Sequence, residues 1–145
     1  MNTESTRLRA LREARGLMQT FGFNGFSLQT LAESLGIKKP SLFEHFKSKE
    51  DLGKAVIEQY QANFAQWIET VSVFEPDAKI GALFEIFWKF SGQEAMLCPL
   101  AAMIADSNSL PKAMRQTLPK LYDFQYTWLK DVIEEGQKKK IFRKN

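Results

Sequence analysis

Two short apolar patterns of helical spacing lie close together in "SLQTLAESLGIKKPSLFEHF", which begins at Ser27. The first pattern ends at Gly36, where the absence of a Cβ atom favours a tight turn. The second begins beside Pro40, which fits the first turn of a helix because no N–H is needed there. A short turn with glycine makes the second helix cross the first at a steep angle. The stretch therefore predicts a helix-turn-helix, with helices over 27–35 and 39–46.

The rest of the chain also has helical apolar spacing, and no stretch alternates as a β-strand does. We expect helices up to Phe21, from Lys49 towards Pro76, over 77–91, from Pro99 and from Pro111 to Gly136. Pro119 lies inside the last of these, where we expect a kink or a break. Helix 77–91 is apolar over most of its circumference, which is typical of a helix packed on several sides. The predicted fold class is therefore all-α.

Length and composition limit the class of protein. The chain has 145 residues, 44% of them hydrophobic, and this is enough apolar material for a folded core. Its net charge of +3 permits a nucleic-acid partner without requiring one. The single cysteine, Cys98, indicates a reducing compartment. With no apolar segment long enough for a membrane span or a signal peptide, we expect a soluble cytoplasmic protein.

The brevity of the two helices fits DNA recognition, since the major groove is wide enough for one helix. The N-terminal turn of helix 39–46 would then point at base edges. There Lys39 can donate to guanine, Ser41 can bond either base of a pair and Pro40 can contact a thymine methyl group. An ordinary corner between two helices is the alternative interpretation of the same pattern.

Four more residues are candidates for DNA contacts. Lys49 begins the next helix and can reach a phosphate. Ser27 and Gln29 lie at a helix N-terminus, where free N–H groups hold phosphates. His45 is the only histidine. A metal site there would need partners that the sequence does not supply nearby, so a phosphate or base contact is favoured over simple exposure.

A longer pattern of fixed spacing surrounds these residues. It comprises Phe21, Gly22, Gly25, Ser27, Leu31, Ala32, Gly36, Ile37, Pro40, Ser41, Leu42, Phe43, His45, Phe46, Lys49, Glu50 and Leu52. A pattern of this length is far more specific than a lone short motif. It resembles the DNA-binding domain of the TetR/AcrR family of bacterial transcriptional regulators, over roughly residues 7–55. Segments 98–106, 110–118 and 136–142 are similar to the family's later helices.

The resemblance implies a homodimer with a small-molecule effector site in its later helices. It implies that one set of residues faces the DNA bases, namely Lys39, Pro40, Ser41, Glu44 and His45. It implies that a second set follows the DNA backbone, namely Ser27, Gln29, Thr30, Phe43 and Lys49. We therefore expect a helix-turn-helix domain at 1–48 and a helical effector-binding domain at 49–145. The expected function is ligand-responsive regulation, most often repression, at a near-palindromic operator.

Three features depart from the family's pattern. Phe43 stands where the family often has a tyrosine whose hydroxyl bonds a phosphate. Lys38 stands where a serine or threonine often caps the helix, so the helix starts one residue later or relies on water. The family also continues past the position of Asn145 with two long helices that pair across the dimer. We therefore expect a truncated chain or another mode of dimerisation, and the alternative function is a helical ligand- or partner-binding module, or a heterodimerising fragment, without independent DNA regulation.

The later helices contain a set of large apolar residues that can line an effector pocket or simply belong to the core: Phe84, Phe87, Trp88, Met103, Tyr122, Tyr126 and Trp128. Cys98 is a candidate for redox sensing, although an inert buried thiol is the favoured interpretation. The sequence contains no catalytic triad, no paired carboxylates and no Gly-rich phosphate loop. We therefore expect neither an enzyme nor a bound cofactor or metal.

Overall fold

The computed structural model describes residues 5–91 and 98–144. Within these ranges the chain is helical and contains no strand, so the all-α prediction is confirmed. The helices are α1 Thr6–Phe21, α2 Leu28–Ser34, α3 Lys39–Phe43, α4 Lys49–Val71, α5 Pro76–Ser91, α6 Pro99–Ala105 and α7 Lys112–Lys138. No helix in the described part of the chain is long and apolar enough to cross a membrane.

Local sequence signals set the ends of the first helices. Gly22 follows α1 with φ 72° and ψ 169°, which lies outside the left-handed helical region but has a positive φ that favours glycine. Ser27 caps α2, because its Oγ accepts the Thr30 N–H at 3.0 Å. Gly36 has φ 67°, and the Ile37 N–H donates to the Ala32 carbonyl at 3.0 Å, which ends α2.

Helix α3 is shorter than the predicted range of 39–46. Regular helix ends at Phe43, although the Phe46 N–H still donates to the Leu42 carbonyl at 2.8 Å. The chain therefore makes one more turn that leads into α4. Lys38 occupies the N-cap position without a side-chain cap, and α3 nevertheless begins at Lys39 rather than one residue later.

Helices α4 and α7 are the two longest, and they pack along each other. Gly53 lets them approach closely, because a Cβ at this position would lie 2.9 Å from the methyl carbon of Met114. Helix α7 runs without interruption through Pro119, so the helix is not broken there. Leu118 and Leu121 on either side of the proline are buried in the core, which holds this part of α7 in place.

One hydrophobic cluster includes residues from α1 to α4, α6 and α7. It continues across the expected boundary between residues 48 and 49, so the division into two domains stays a prediction. Helix α5 is different, since it packs on α7 and leaves Phe84 67% exposed and Trp88 79% exposed. The prediction that this helix packs on several sides is therefore wrong for the described residues.

Candidate nucleic-acid interface and effector cavity

The helix-turn-helix is built on a closed apolar wedge. Leu31 and Ala32 of α2 pack with Leu42 and Phe46, and all four side chains are buried. These residues are spaced so that one face of each short helix points inward. The wedge therefore holds α3 against α2 and leaves the opposite face of α3 in solvent.

Two arginines of α1 also support the wedge. The Arg9 Nη2 donates to the Leu35 carbonyl at 3.1 Å, at the end of α2. The Arg7 guanidinium lies 5.5 Å from the centroid of the Phe46 ring. Sequence reasoning missed both contacts, because each joins residues more than two dozen positions apart.

The exposed face of α3 brings together most of the residues predicted to face DNA bases. Lys39, Pro40, Glu44 and His45 are exposed, while Ser41 is half-buried. No described residue makes an ion pair with Lys39 at 4.0 Å or less, so its charge remains available to a ligand. The N-terminal turn of α3 thus presents a cation, a proline ring and a hydroxyl side by side.

Phe43 lies next to this face and is 46% exposed. The Lys39 ammonium is 5.8 Å from the centroid of its ring. A phenylalanine has no hydroxyl, so its contact with a DNA backbone would be apolar. Its ring instead orients Lys39 through a cation–π contact.

The N-terminal turn of α2 forms the second part of the surface. Ser27, Gln29 and Thr30 are all exposed. The Ser27 and Thr30 hydroxyls share a hydrogen bond of 2.9 Å, and the Gln29 Nε2 donates to Glu33 at 2.7 Å. Hydroxyl and amide groups at a helix N-terminus suit phosphate oxygens, which accept hydrogen bonds and are favoured by the helix dipole.

Lys49 is placed differently from the other predicted DNA-binding residues. Its ammonium donates to the main-chain carbonyl of Phe26. It also lies 4.6 Å from the centroid of the Phe23 ring and 4.4 Å from that of Phe26. Burial lowers the pKa of Lys49. The side chain is therefore directed inward, onto the connection between α1 and α2.

A neighbouring residue links the start of α4 to the start of α7. The Glu50 Oε1 accepts the Ala113 N–H at 3.0 Å. Helix α7 has Pro111 at its N-cap and no side-chain cap of its own. A carboxylate at this position satisfies a free N–H group and interacts favourably with the helix dipole. Glu50 thus joins the helix-turn-helix region to the later helices.

An aromatic cavity of about 290 Å³ lies between α4, α5, α6 and α7. Four predicted pocket residues line it, namely Phe87, Tyr122, Tyr126 and Trp128. The described lining contains no charged side chain, and sequence reasoning missed part of it: Phe64, Leu83, Leu100, Gln125 and Leu129. A cavity of this kind suits an apolar, uncharged ligand.

The other three predicted pocket residues lie elsewhere. Phe84 and Trp88 are on the exposed side of α5, and Met103 is buried in the main core. The helical spacing of α5 identifies its apolar residues but does not tell which of them face α7. Phe87 faces the cavity, whereas its neighbours of similar size do not.

A small polar cluster lies beside the cavity. The Tyr60 hydroxyl is 3.8 Å from the Cys98 Sγ. Burial, followed by the neighbouring thiol, raises the pKa of Tyr60 above its ordinary value. Among the described residues, buried Arg15 Nε and Gln125 Nε2 have no hydrogen-bond acceptor. Cys98 itself is half-buried, and its redox role stays a hypothesis.

The part of the chain that the structure describes contains no group of three or more His, Cys, Asp and Glu side chains that could hold a metal ion. His45 is exposed beside α3, with its ring 6.3 Å from the centroid of Phe46 in an edge-on arrangement. Its position next to the α3 face agrees with the expected DNA contact and leaves that contact a prediction.

Comparisons with known proteins indicate the same class of protein as the fold does. The family described as "Bacterial regulatory proteins, tetR family" matches residues 10–56. A TetR transcriptional regulator from Legionella pneumophila has a crystal structure that superposes with a TM-score of 0.87 and is 33% identical. That match covers 92% of this chain and 74% of the Legionella chain. The fold and the exposed helix-turn-helix thus define a DNA-binding transcriptional regulator, and the chain belongs to the TetR family.

Two curated relatives from Escherichia coli are regulators as well. The HTH-type transcriptional regulator UidR is 26% identical over 143 residues, which cover 94% of this chain and 72% of UidR. The HTH-type transcriptional repressor ComR is 35% identical over 78 residues, which cover 54% of this chain and 37% of ComR. Both similarities are to regulators and not to enzymes.

Proposed function

We propose that the chain represses transcription by binding a near-palindromic operator as a homodimer. One observation carries this proposal: the N-terminal turn of α3 is exposed while the opposite side of the helix is held by a buried wedge. This arrangement suits insertion of a rigid, short helix into a major groove. The repressor role is supported by the similarity to ComR, which is described as a repressor.

The proposed DNA contacts fall into two groups. Lys39, Pro40, Ser41, Glu44 and His45 would contact base edges from α3 and the turn that follows it. Ser27, Gln29, Thr30, Phe43 and Lys49 would follow the backbone, with hydroxyl, amide and ammonium groups directed at phosphates. A two-fold dimer would place its two α3 helices in successive major grooves, about 34–36 Å apart.

The proposed effector site is the aromatic cavity between α4 and α7. An uncharged apolar molecule would enter it and contact Phe87, Tyr122, Tyr126 and Trp128. It would regulate DNA binding only if it bound one arrangement of the dimer more tightly than the other. The hydrogen bond from the Ala113 N–H to Glu50 connects the start of α7 to the start of α4. A shift of α7 on effector binding would therefore be passed to α4. In this proposal residues 1–48 read DNA and residues 49–145 respond to the effector.

Footprinting on the promoter beside the protein's own gene tests this function. We expect protection of two half-sites related by a two-fold axis, and loss of protection when the effector is added. Protection of a single isolated half-site would contradict the dimer. Binding without any dependence on salt concentration would contradict phosphate contacts, and a helical module without DNA regulation would then be the better description.

A further inference from the structure

A groove of about 410 Å³ lies between α1 and α4, and we call it the α1–α4 groove. It shares no described lining residue with the aromatic cavity. Its volume is within the range of small-molecule sites. The described residues that line it are Leu8, Leu11, Arg12 and Arg15 from α1, and Val56, Gln59, Tyr60 and Asn63 from α4.

The α1–α4 groove has a positive charge on its α1 side. Two of its lining residues are arginines, and its described lining contains no carboxylate. None of the ion pairs within the described residues involves Arg15. The Arg15 Nε is buried, and no described residue accepts its hydrogen. A buried cationic donor without an acceptor is costly, so the guanidinium of Arg15 is suited to pair with an anion.

Tyr60 supplies a second donor from the α4 side of the groove. Burial raises the pKa of Tyr60, so its hydroxyl keeps its proton near neutral pH. The hydroxyl lies 3.8 Å from the Cys98 Sγ, and a thiol is a weak hydrogen-bond partner. The hydroxyl can therefore donate to a stronger acceptor. A guanidinium from α1 and a phenol from α4 can together meet the two oxygens of one carboxylate.

The remaining lining favours an organic anion over an inorganic one. Leu11 and Val56 are each 3% exposed and give the groove an apolar base, and Leu8 is a partly exposed apolar residue beside them. An apolar body gains free energy when it covers such side chains. Inorganic phosphate has no apolar part and carries charge on every side, so it would lie unfavourably against these residues.

We propose that the α1–α4 groove binds a small organic carboxylate, which pairs with Arg15, accepts a hydrogen bond from Tyr60 and packs its apolar body on Leu11 and Val56. This site differs from the proposed effector cavity in its position and in the charge of its ligand. The ligand would contact α1 and α4 together and so stabilise their packing. The inference does not depend on DNA binding, because ligand binding is measured in the free chain.

Isothermal titration calorimetry with sodium benzoate, at constant ionic strength, tests the site. Benzamide is the matched probe, since it has the same ring and nearly the same shape without the charge. We expect a Kd for benzoate of about 0.1–5 mM, as suits a ligand of this size, and binding of benzamide that is at least about tenfold weaker. Benzoate at about ten times its Kd should raise the melting temperature by about 3–6 °C. Equal affinity for the two probes, or no binding of benzoate, would overturn the inference.

Three variants assign the binding to the proposed residues. We expect Arg15→Met to weaken benzoate binding by about tenfold or more and to leave benzamide unaffected, because only the charged hydrogen bond is lost. Tyr60→Phe should weaken benzoate binding by about three- to tenfold. Arg115→Met, which removes an exposed arginine of α7, is the matched control and should change nothing. Benzoate binding that survives Arg15→Met unchanged would contradict the site.

The stability of the free variant separates a ligand-binding arginine from a structural one. We expect Arg15→Met to melt no lower than the wild type, because an apolar chain replaces a half-buried cation that has no described partner. A melting temperature lower by more than about 3 °C would show that protein contacts hold the guanidinium, and it would overturn the inference. In the wild type, the side-chain NMR signal of Arg15 should shift on adding benzoate.

A variant of the aromatic cavity and a second anion complete the test. We expect Tyr126→Ala, which alters the aromatic cavity, to leave benzoate binding unchanged. An affinity that falls in Tyr126→Ala and not in Arg15→Met would place benzoate in that cavity and overturn the inference. Tighter binding of inorganic phosphate than of benzoate, at equal ionic strength, would overturn the assignment to a carboxylate. A chain that binds benzoate through Arg15 but binds no DNA would contradict the proposed function alone.

Discussion

The two ends of the molecule differ in how far their apolar side chains are exposed to solvent. At the helix-turn-helix end, Leu31 and Leu42 are 0% exposed and Phe46 is 1% exposed, so fully buried side chains carry the packing. At the α5 end, larger rings are exposed, including Phe84 and Tyr126, the latter at 56%. A closed wedge gives a rigid surface, whereas the exposed rings form an apolar surface that the described packing does not cover. The proposed DNA-binding end is therefore closely packed, and the proposed effector-binding end leaves large apolar rings uncovered.

A pair of alanine substitutions tests this contrast most strongly. We expect Leu42→Ala to lower the free energy of unfolding by about 2–5 kcal/mol, because it leaves a cavity in the wedge. We expect Phe84→Ala, which removes a larger but exposed ring, to change it by less than about 0.5 kcal/mol. Urea unfolding followed by circular dichroism measures both values.

Thermal unfolding of the same proteins at several protein concentrations serves as the control. Should Phe84→Ala destabilise the protein as much as Leu42→Ala, the ring of Phe84 would be covered in solution. A melting temperature that rises with protein concentration in the wild type, but not in Phe84→Ala, would identify a second copy as the cover.

A second prediction concerns the recognition of DNA bases by α3. We expect Lys39→Ala to lose about 1–3 kcal/mol of discrimination at one base pair of each half-site, since a lysine donates to guanine O6 and N7. Binding to a set of operator variants with single base changes measures this loss. Lys130→Ala, on α7, is the matched control. An unchanged order of preference in Lys39→Ala would show that α3 is not placed in the groove as proposed.

A third prediction addresses the connection between the two ends. Glu50→Ala removes the acceptor of the Ala113 N–H, and we expect a loss of about 1 kcal/mol, as for the removal of a helix cap. Glu50→Gln keeps an acceptor oxygen and should lose about half as much, because only the charge–dipole interaction disappears. Thermal unfolding of the wild type and the two variants ranks their stabilities. Equal losses in both variants would mean that the hydrogen bond contributes nothing.

The smallest expected effect is a pH dependence at the far end. Glu135 receives hydrogen bonds from Lys139 and Lys79, each at 3.0 Å, and these lower its pKa. Because the folded-state pKa lies below the ordinary one, the stabilisation is present above the ordinary pKa. It is lost as the pH falls through the lowered folded-state value.

We therefore expect Glu135→Gln to melt below the wild type near neutral pH and to approach it in acid, over about pH 7 to 3. Differential scanning fluorimetry across this range measures the difference. Glu134→Gln is the control, since the Glu134 carboxylate lies 3.7 Å from Lys130 on an exposed face. A difference in melting temperature that grows towards low pH would contradict this explanation.

Features that depend on nearby residues were predicted well from the sequence. Ser27 lies at the N-terminus of α2, where its Oγ accepts the Thr30 N–H at 3.0 Å, and Gly36 adopts a positive φ at the turn after α2. Each of these follows from chemistry within three or four residues of the position concerned. The all-α class followed from the helical spacing for the same reason.

Features that depend on residues far apart in the chain were not predicted. The inward direction of Lys49 depends on two rings more than twenty positions earlier, and the cap on Ala113 comes from Glu50. Pro119 was expected to kink or break α7; the helix is not broken there, with neighbouring leucines held in the core, and the kink stays a prediction. Helical spacing also could not tell which side of α5 meets α7.

The close approach at Gly53 constrains how the two long helices can move. The Met114 side chain occupies the space that a Cβ at residue 53 would fill, so it sits in a notch on α4. Sliding α7 along α4 by one helical turn, about 5.4 Å, would drive Met114 against the side chains that flank the notch. Met114 in this notch therefore opposes sliding of the two long helices along each other.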